Sequence, residues 1–259
     1  FDNGEHVAQL REKFQLSYTI PSHCAEQMKN GAADIGIIPV AAYTMIPDLV
    51  IVPDVAIAAK NKVRSILLVS KVPLEKIRSV ATDDSSRTSA ALVEIYLRKF
   101  VGTSPGFSRQ KPSLKEMLQW HDAALLIGDP ALQVDTRGYY VYDLAEEWRR
   151  WTGRSFVFAF WAVRKAALQE GPAELNIAEV FQRSRDNGLQ HIPEISATWA
   201  PRLGLSAQLI SEYLTDNVDY SLDQENLDGL RLFLKYGAEM GVFSRLPELE
   251  FLQQSSAIA

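Results

Sequence analysis

The stretch Ser79-Val-Ala-Thr-Asp-Asp-Ser-Ser-Arg-Thr-Ser-Ala-Ala-Leu-Val-Glu-Ile-Tyr-Leu-Arg-Lys-Phe100 gives the clearest view of this chain's architecture. Residues 79–82 are typical of a β-strand, and residues 90–100 are typical of a helix. A polar loop, Asp83 to Ser89, joins them. Because a strand that leads through a short loop into a helix is the repeating unit of α/β proteins, this stretch predicts an α/β fold.

The loop in the middle of this stretch is unusually polar. Four hydroxyls and one guanidinium lie within the five residues Ser85 to Ser89. The first N–H groups of a helix lack intrahelical partners and the helix dipole is positive there, so this loop suits a small carboxylate or phosphate. Ordinary helix capping is the alternative, since Ser and Asp are preferred caps. Arg87 favours an anion site, because a cation in the first turn opposes the dipole by about 0.3–1 kcal/mol. Pairing with Asp83 or Asp84 would make it structural instead.

Short apolar runs recur on both sides of this stretch, separated by segments with helical patterns. The predicted strands include Leu16–Pro21, 35–38, 65–70, 79–82, 123–127 and 156–163. Beyond Arg164 the chain is predicted to be helical, with the longest helix over residues 222–241. Alternating strands and helices predict mostly parallel sheets flanked by helices.

A two-lobed organisation explains this order most simply. Residues 1–74 plus 165–259 would form one discontinuous lobe, and residues 75–164 the other. The strand runs near 65–70 and 156–163 would be the crossovers. A ligand would then lie between the lobes, at the carboxyl ends of parallel strands.

Two further loops follow predicted strands. Pro39 ends the apolar run 35–38, and Gly128-Asp129-Pro130 follows the run 123–127. In one interpretation Asp129 is a helix N-cap before Pro130. In the other, Gly128 allows close backbone approach and Asp129 faces the cleft as a hydrogen-bond acceptor or a base.

Bulk properties exclude several classes of function. The 259 residues carry a net charge of −5, which argues against a nucleic-acid partner. One cysteine excludes an intramolecular disulfide, and no apolar run approaches the roughly 18 residues of a membrane span. The four histidines have no metal-like spacing, and there is no Walker or Gly-x-Gly-x-x-Gly motif. The sequence begins at Phe1, so it gives no information about a signal peptide.

Six segments, taken in order, resemble one known family. They are Gly31-Ala-Ala-Asp-Ile-Gly-Ile-Ile-Pro39, Ser65-Ile-Leu-Leu-Val-Ser70, Asp84-Ser-Ser-Arg-Thr-Ser89, Asp122-Ala-Ala-Leu-Leu-Ile-Gly-Asp-Pro-Ala-Leu132, Tyr142-Asp-Leu-Ala-Glu-Glu-Trp148 and Thr152-Gly-Arg-Ser-Phe-Val-Phe-Ala-Phe-Trp161. The series is similar to the chorismate dehydratase family of the futalosine route to menaquinone. The resemblance covers nearly the whole chain.

This resemblance implies a type II periplasmic-binding-protein-like fold used as a cytoplasmic lyase. Chorismate would be the small-molecule substrate, and no cofactor, metal, nucleic acid or membrane would take part. The resemblance implies that the substrate carboxylate binds at Ser85, Ser86, Arg87, Thr88 and Ser89. Gly128 and Asp129 would form the opposite wall, with Pro39 facing them from the first lobe. Either Asp129 or the substrate's own enolpyruvyl carboxylate would take the proton.

Two alternatives stay open at this point. A solute-binding protein of the same fold would hold a small anion without turnover. The related 1,4-dihydroxy-6-naphthoate synthase is expected to use a cleft histidine, and none of the four histidines lies in a convincing cleft loop. The family pattern also opens with a strand and a Ser-Tyr-Leu-Asn-Thr-x-Pro-like segment of the active site, and residue 1 lies beyond the point where that segment is expected.

Overall fold

A computed structural model describes residues 7–170 and 175–253 of the chain. It contains two β-sheets with helices around them. The strands are β1 (Ile35–Pro39), β2 (Leu49–Ala59), β3 (Ile66–Ser70), β4 (Ser79–Asp83), β5 (Gly106–Gln110), β6 (Ala123–Ile127), β7 (Tyr140–Asp143) and β8 (Phe156–Arg164). The helices are α1 (Val7–Lys13), α2 (Pro21–Lys29), α3 (Val40–Tyr43), α4 (Arg87–Ile95), α5 (Leu114–Trp120), α6 (Asp129–Gln133), α7 (Leu144–Thr152), α8 (Lys165–Glu170), α9 (Ile177–Gln190), α10 (Ile192–Leu203), α11 (Ala207–Glu212) and α12 (Gln224–Glu239). Leu74–Lys76 forms a 3₁₀ turn, and Tyr96–Val101 and Tyr213–Asn217 form π-helical turns.

The strand directions differ from the expectation of mostly parallel sheets. In the three-stranded sheet β8 lies between β1 and β2 and runs antiparallel to both. In the five-stranded sheet, ordered β5-β4-β6-β3-β7, β4 is parallel to β5 and β6, whereas β3 is antiparallel to β6 and β7. The reason is that β3 and β8 each enter their sheet from the other sheet. Neither therefore needs the crossover helix that a parallel neighbour on the same sheet requires.

The two predicted crossover strands belong to different sheets from those the sequence suggested. The sequence assigns the run 65–70 to the first lobe, but Ile66–Ser70 hydrogen-bonds to β6 and β7 of the five-stranded sheet. The sequence assigns the run 156–163 to the second lobe, but the strand Phe156–Arg164 pairs with β1 and β2. The chain thus passes between the sheets just before each apolar run, at residues 60–65 and 153–155. These runs are apolar because they are central strands, buried on both faces.

The predicted strand at Leu16–Pro21 is wrong. Residues 14–20 are irregular, Tyr18 is 72% exposed, and α2 already begins at Pro21. Proline suits the first helical position because its missing N–H has no intrahelical partner there. Within the described residues, β1 is an edge strand that pairs with β8 alone. Residues 16–20 do not add a further strand to it.

One continuous apolar core connects the two sheets. Trp148 of α7 packs edge-on against Phe156 of β8 and Phe233 of α12. Its indole Nε1 donates to the carbonyl oxygen of Ser155 at 3.0 Å. Gly229 of α12 lies directly against that carbonyl, and a Cβ at this position would be 2.0 Å from the oxygen. The close approach of α12 to the start of β8 therefore depends on a residue without a side chain.

Asp143, at the end of β7, is a buried carboxylate that organises two segments. It caps α7 by accepting from the N–H groups of Ala145 and Glu146. It also accepts from the main-chain N–H of Val63 at 3.1 Å and of Arg64 at 2.6 Å. Burial raises the pKa of the Asp143 carboxyl, and these four N–H donors partly offset that rise. The connection into β3 is thereby fixed to the start of α7.

Candidate functional site

The loops after β4 and β6 leave the five-stranded sheet side by side. The two strands are parallel neighbours, with Val80 opposite Ala123 and Thr82 opposite Leu125. Neighbouring strands lie about 4.8 Å apart, so their carboxyl ends open at the same edge. This edge is where ligands bind in open α/β sheets. The structure therefore brings the loops that hold Ser85 and Gly128 together.

The loop after β1 reaches this edge from the other sheet. Pro39 ends β1 and α3 follows at once. The main-chain N–H of Ala41 donates to Thr88 Oγ1 at 3.1 Å, in a buried contact between α3 and α4. Three loops, one from the three-stranded sheet and two from the five-stranded sheet, thus converge on one region.

The hydroxyls of the polar loop form the start of α4. Ser86 is the N-cap: its Oγ accepts from Ser89 N at 3.2 Å and donates to Ser89 Oγ at 3.0 Å. Ser85 donates its N–H and its hydroxyl to Asp83 Oδ1, at 2.9 and 2.6 Å. The capping interpretation therefore accounts for these serines. Among the described residues, the main-chain N–H groups of Arg87 and Thr88 have no acceptor. These are the groups that can still bind an anion.

Arg87 does not pair with Asp83 or Asp84, the partners considered from the sequence. Its Nη2 lies 3.5 Å from Glu26 Oε1 of α2, and its Nη1 lies 3.9 Å from Met45 Sδ. Both members of the ion pair are more than one-third exposed. The side chain therefore spans from α4 to the elements around the three-stranded sheet. It also lines a cavity of about 460 Å³ together with Thr44, Phe107, Arg109 and Phe243.

Gly128 and Asp129 form a turn with a backbone conformation reserved for glycine. Gly128 has φ 63° and ψ −141°, a region that residues with a Cβ avoid. Its N–H donates to the Ser65 carbonyl oxygen at 2.8 Å. Gly128 is the N-cap of α6 and Asp129 is the first helical residue, so the interpretation of Asp129 as the cap is wrong. Its exposed carboxylate has no hydrogen-bond or ion-pair partner within the described parts of the chain.

Tyr213 is a neighbour of this turn that the sequence did not reveal. Its hydroxyl donates to Ser65 Oγ at 3.0 Å. Burial raises the pKa of Tyr213, and the negative charge of Asp129 raises it further. Tyr213 is distant in sequence from both residues, and no local motif marks it.

The remaining candidates are structural. The ring of His121 lies between Met117 O and Ser108 Oγ, at 3.0 and 2.7 Å. His191 Nδ1 lies 2.7 Å from Asn187 O. Cys24 is buried, and this burial raises the pKa of its thiol. In residues 7–170 and 175–253 no cluster of three His, Cys, Asp or Glu side chains could hold a metal. No described helix has the length and apolar character that crossing a membrane would require.

Solved structures establish the fold. The periplasmic aliphatic sulphonate binding protein of Escherichia coli superimposes with a TM-score of 0.59 at 16% identity, over 93% of this chain and 82% of that chain. A Candida albicans protein described as having the generic periplasmic binding protein fold gives a TM-score of 0.52 at 12% identity, over 90% and 85% of the two chains. The predicted periplasmic-binding-protein-like α/β fold is therefore confirmed.

Sequence comparison identifies the family. A curated protein of Thermus thermophilus named chorismate dehydratase is 29% identical over 240 residues, which cover 86% of each chain. A family model described as menaquinone biosynthesis matches residues 6–239. Because this match spans most of the 259 residues, the chain belongs to the menaquinone-biosynthesis family.

Proposed function

We propose that this protein is a chorismate dehydratase, a lyase that converts chorismate to 3-[(1-carboxyvinyl)oxy]benzoate and water in menaquinone biosynthesis. The observation that carries this proposal is the alignment with the Thermus thermophilus chorismate dehydratase over 86% of both chains. The family match over residues 6–239 points to the same pathway. As a biosynthetic enzyme of this kind, it is expected to act in the cytoplasm.

The dehydration needs a correctly positioned substrate, and it does not need a redox group. The C–H bond breaks at the ring carbon that carries the ether oxygen, and its electrons form the third ring double bond. The C–O bond to the neighbouring hydroxyl breaks, and the hydroxide leaves as water with one proton. Because the product ring is aromatic, the reaction is downhill. The protein has to bind one conformer, supply electrostatic stabilisation and exclude bulk water.

The start of α4 suits one of the two substrate carboxylates. The unpartnered N–H groups of Arg87 and Thr88 and the positive end of the helix dipole favour an anion there. The Arg87 guanidinium can add a charge-assisted hydrogen bond, because its pair with Glu26 is exposed and therefore weak. We propose that Ser85 to Ser89 hold this carboxylate, with Pro39 on the facing loop.

The Gly128–Asp129 turn suits the proton transfer. The exposed Asp129 carboxylate is free to accept a proton, and the turn is adjacent to the α4 loop at the sheet edge. The enolpyruvyl carboxylate of the substrate is the alternative base. The two alternatives make opposite predictions for an Asp129 variant.

Incubation of the protein with chorismate, followed by mass spectrometry, tests the proposed function. Dehydration lowers the mass of the small molecule by one water, and the product absorbs as a benzoate. Tight chorismate binding without any product would contradict the enzyme assignment and favour a solute-binding protein. Turnover of a later pathway intermediate instead would favour the naphthoate synthase.

Arg87→Ala is expected to reduce kcat/KM for chorismate at least tenfold, because a charge-assisted hydrogen bond contributes about 1.5–3 kcal/mol. Its stability should stay within about 1 kcal/mol of wild type, because the pair that it loses is exposed. Steady-state kinetics and urea unfolding measure the two quantities. Arg98→Ala is the matched control: it removes an arginine paired with Glu94 further along the chain, at 2.7 Å. A large loss of stability with normal turnover would show that Arg87 is structural.

A further inference from the structure

The π-helical turn Tyr213–Asn217 lies against the connection that leads into β3. The Tyr213 hydroxyl donates to Ser65 Oγ at 3.0 Å, and Asn217 Nδ2 donates to the carbonyl oxygen of Lys62 at 3.0 Å. The turn therefore contacts this connection at both of its ends. Such π-helical turns are rare and frequently occur at functional sites.

Ser65 relays this contact to the Gly128–Asp129 turn. Its side chain accepts from Tyr213, and its carbonyl oxygen accepts from the N–H of Gly128 at 2.8 Å. Ser65 is 4% exposed, so water does not replace either bond readily. Two hydrogen bonds, one to the side chain and one to the carbonyl oxygen of Ser65, thus connect Tyr213 with the backbone next to Asp129.

Tyr213 and Asp129 also act on each other through space. The charge of the Asp129 carboxylate adds to the rise that burial causes in the pKa of Tyr213. The hydrogen bond to Ser65 acts in the opposite direction and lowers the pKa of Tyr213. Like any tyrosine with an ordinary or raised pKa, Tyr213 keeps its hydroxyl proton at neutral pH and can donate it.

We propose that Tyr213 is a positioning residue for the dehydration: through Ser65, it holds the Gly128–Asp129 turn in the arrangement that the reaction uses. This inference rests on the proposed function of Asp129. The carbonyl oxygen of Gly128 accepts from Ala131 and Leu132 of α6, whereas its N–H is bound by Ser65. Apart from its two chain neighbours, no described atom lies within 4 Å of the place where its Cβ would be. The hydrogen bond to Ser65 therefore ties this turn to the connection that leads into β3, and no described side chain packs over Gly128 to hold it in another way.

Tyr213→Phe removes the hydroxyl and keeps the ring. We expect kcat for chorismate to fall about tenfold, with KM within about twofold, because small misplacements of catalytic groups lower turnover more than binding. Tyr220→Phe is the matched control. Tyr220 is a partly buried tyrosine of the same region whose hydroxyl bonds to none of the described residues, and its variant should keep wild-type kcat. In an Asp129→Asn background, Tyr213→Phe should cause no further loss of kcat.

Hydrogen exchange provides a second readout that does not depend on activity. The amide of Gly128, followed in peptides covering residues 123–132 by mass spectrometry, should exchange about tenfold faster in Tyr213→Phe than in wild type. The same amide should be unchanged in Tyr220→Phe. Faster exchange confined to this turn distinguishes positioning from a general loss of stability, in which exchange would rise across the whole sheet.

The outcomes separate this inference from the proposed function. If wild type does not convert chorismate, the proposed function fails, and the exchange of Gly128 still decides whether Tyr213 holds the turn. If wild type is active, unchanged kcat or unchanged Gly128 exchange in Tyr213→Phe overturns the inference. A loss of kcat that persists at full size in the Asp129→Asn background overturns it as well.

Discussion

Asp129→Asn is expected to lower kcat for chorismate dehydration by about a hundredfold or more, since general base catalysis contributes about 10²–10⁴-fold. Asparagine keeps the shape of the side chain but cannot take the proton at neutral pH. Because the carboxylate is exposed and unpaired in the described structure, the variant should unfold at the same urea concentration as wild type. Single-turnover measurements at saturating chorismate isolate the chemical step from product release.

Asp135→Asn is the matched control for this experiment. It neutralises another exposed aspartate shortly after α6, which pairs with Arg137 in solvent. It should leave kcat unchanged. If Asp129→Asn also keeps wild-type kcat, Asp129 is not the base, and the enolpyruvyl carboxylate of the substrate becomes the proton acceptor. The experiment therefore decides between the two routes whichever way it comes out.

Gly229→Ala is expected to destabilise the protein by about 3 kcal/mol, the upper part of the range for overpacked cores. The added Cβ would lie 2.0 Å from the carbonyl oxygen of Ser155. That oxygen is main chain and also accepts from the Trp148 indole, so it cannot move without breaking a buried hydrogen bond. The free energy of unfolding, obtained from urea titration, is the quantity to measure.

Gly188→Ala provides the comparison. Gly188 lies in α9, and a Cβ there would meet no atom within 4 Å. Alanine should therefore raise the free energy of unfolding by about 0.5–1 kcal/mol, since it restricts the unfolded chain and favours the helix. If both glycine variants behaved alike, the close packing of α12 on Ser155 would be contradicted.

The strands were predictable where burial dominates the local sequence. The runs at Ile35–Pro39 and Ala123–Ile127 are apolar and bounded by turn residues, so their extents follow from composition. Their pairing was not predictable in this way. Ile66–Ser70 joins the five-stranded sheet because it pairs with residues 123–127 and 140–143. These partners are distant in sequence, so the local pattern of residues 66–70 does not reveal them.

In the candidate site, too, local features are predictable from the sequence and contacts between distant residues are not. The start of a helix at Ser85–Ser89 is predictable because capping and helix polarity are local properties. The partner of Arg87 was not found, because Glu26 lies 61 positions away on α2. Tyr213 lies 148 positions from Ser65. Tyr213 lies in a helical segment whose pattern indicates only packing, so its contact with Ser65 is visible only in the three-dimensional structure.

The buried carboxylate of Asp143 limits where a hinge between the two sheets could lie. It binds the N–H groups of Val63 and Arg64, so these residues must move as part of the body that contains the five-stranded sheet. We therefore expect any relative motion of the two sheets to arise at residues 60–62 in the first connecting segment and in the short second segment that starts at Gly153. We predict that such motion would change the edge where the three loops meet while keeping the hydrogen bond between Gly128 and Ser65, because both residues lie on the side of the five-stranded sheet.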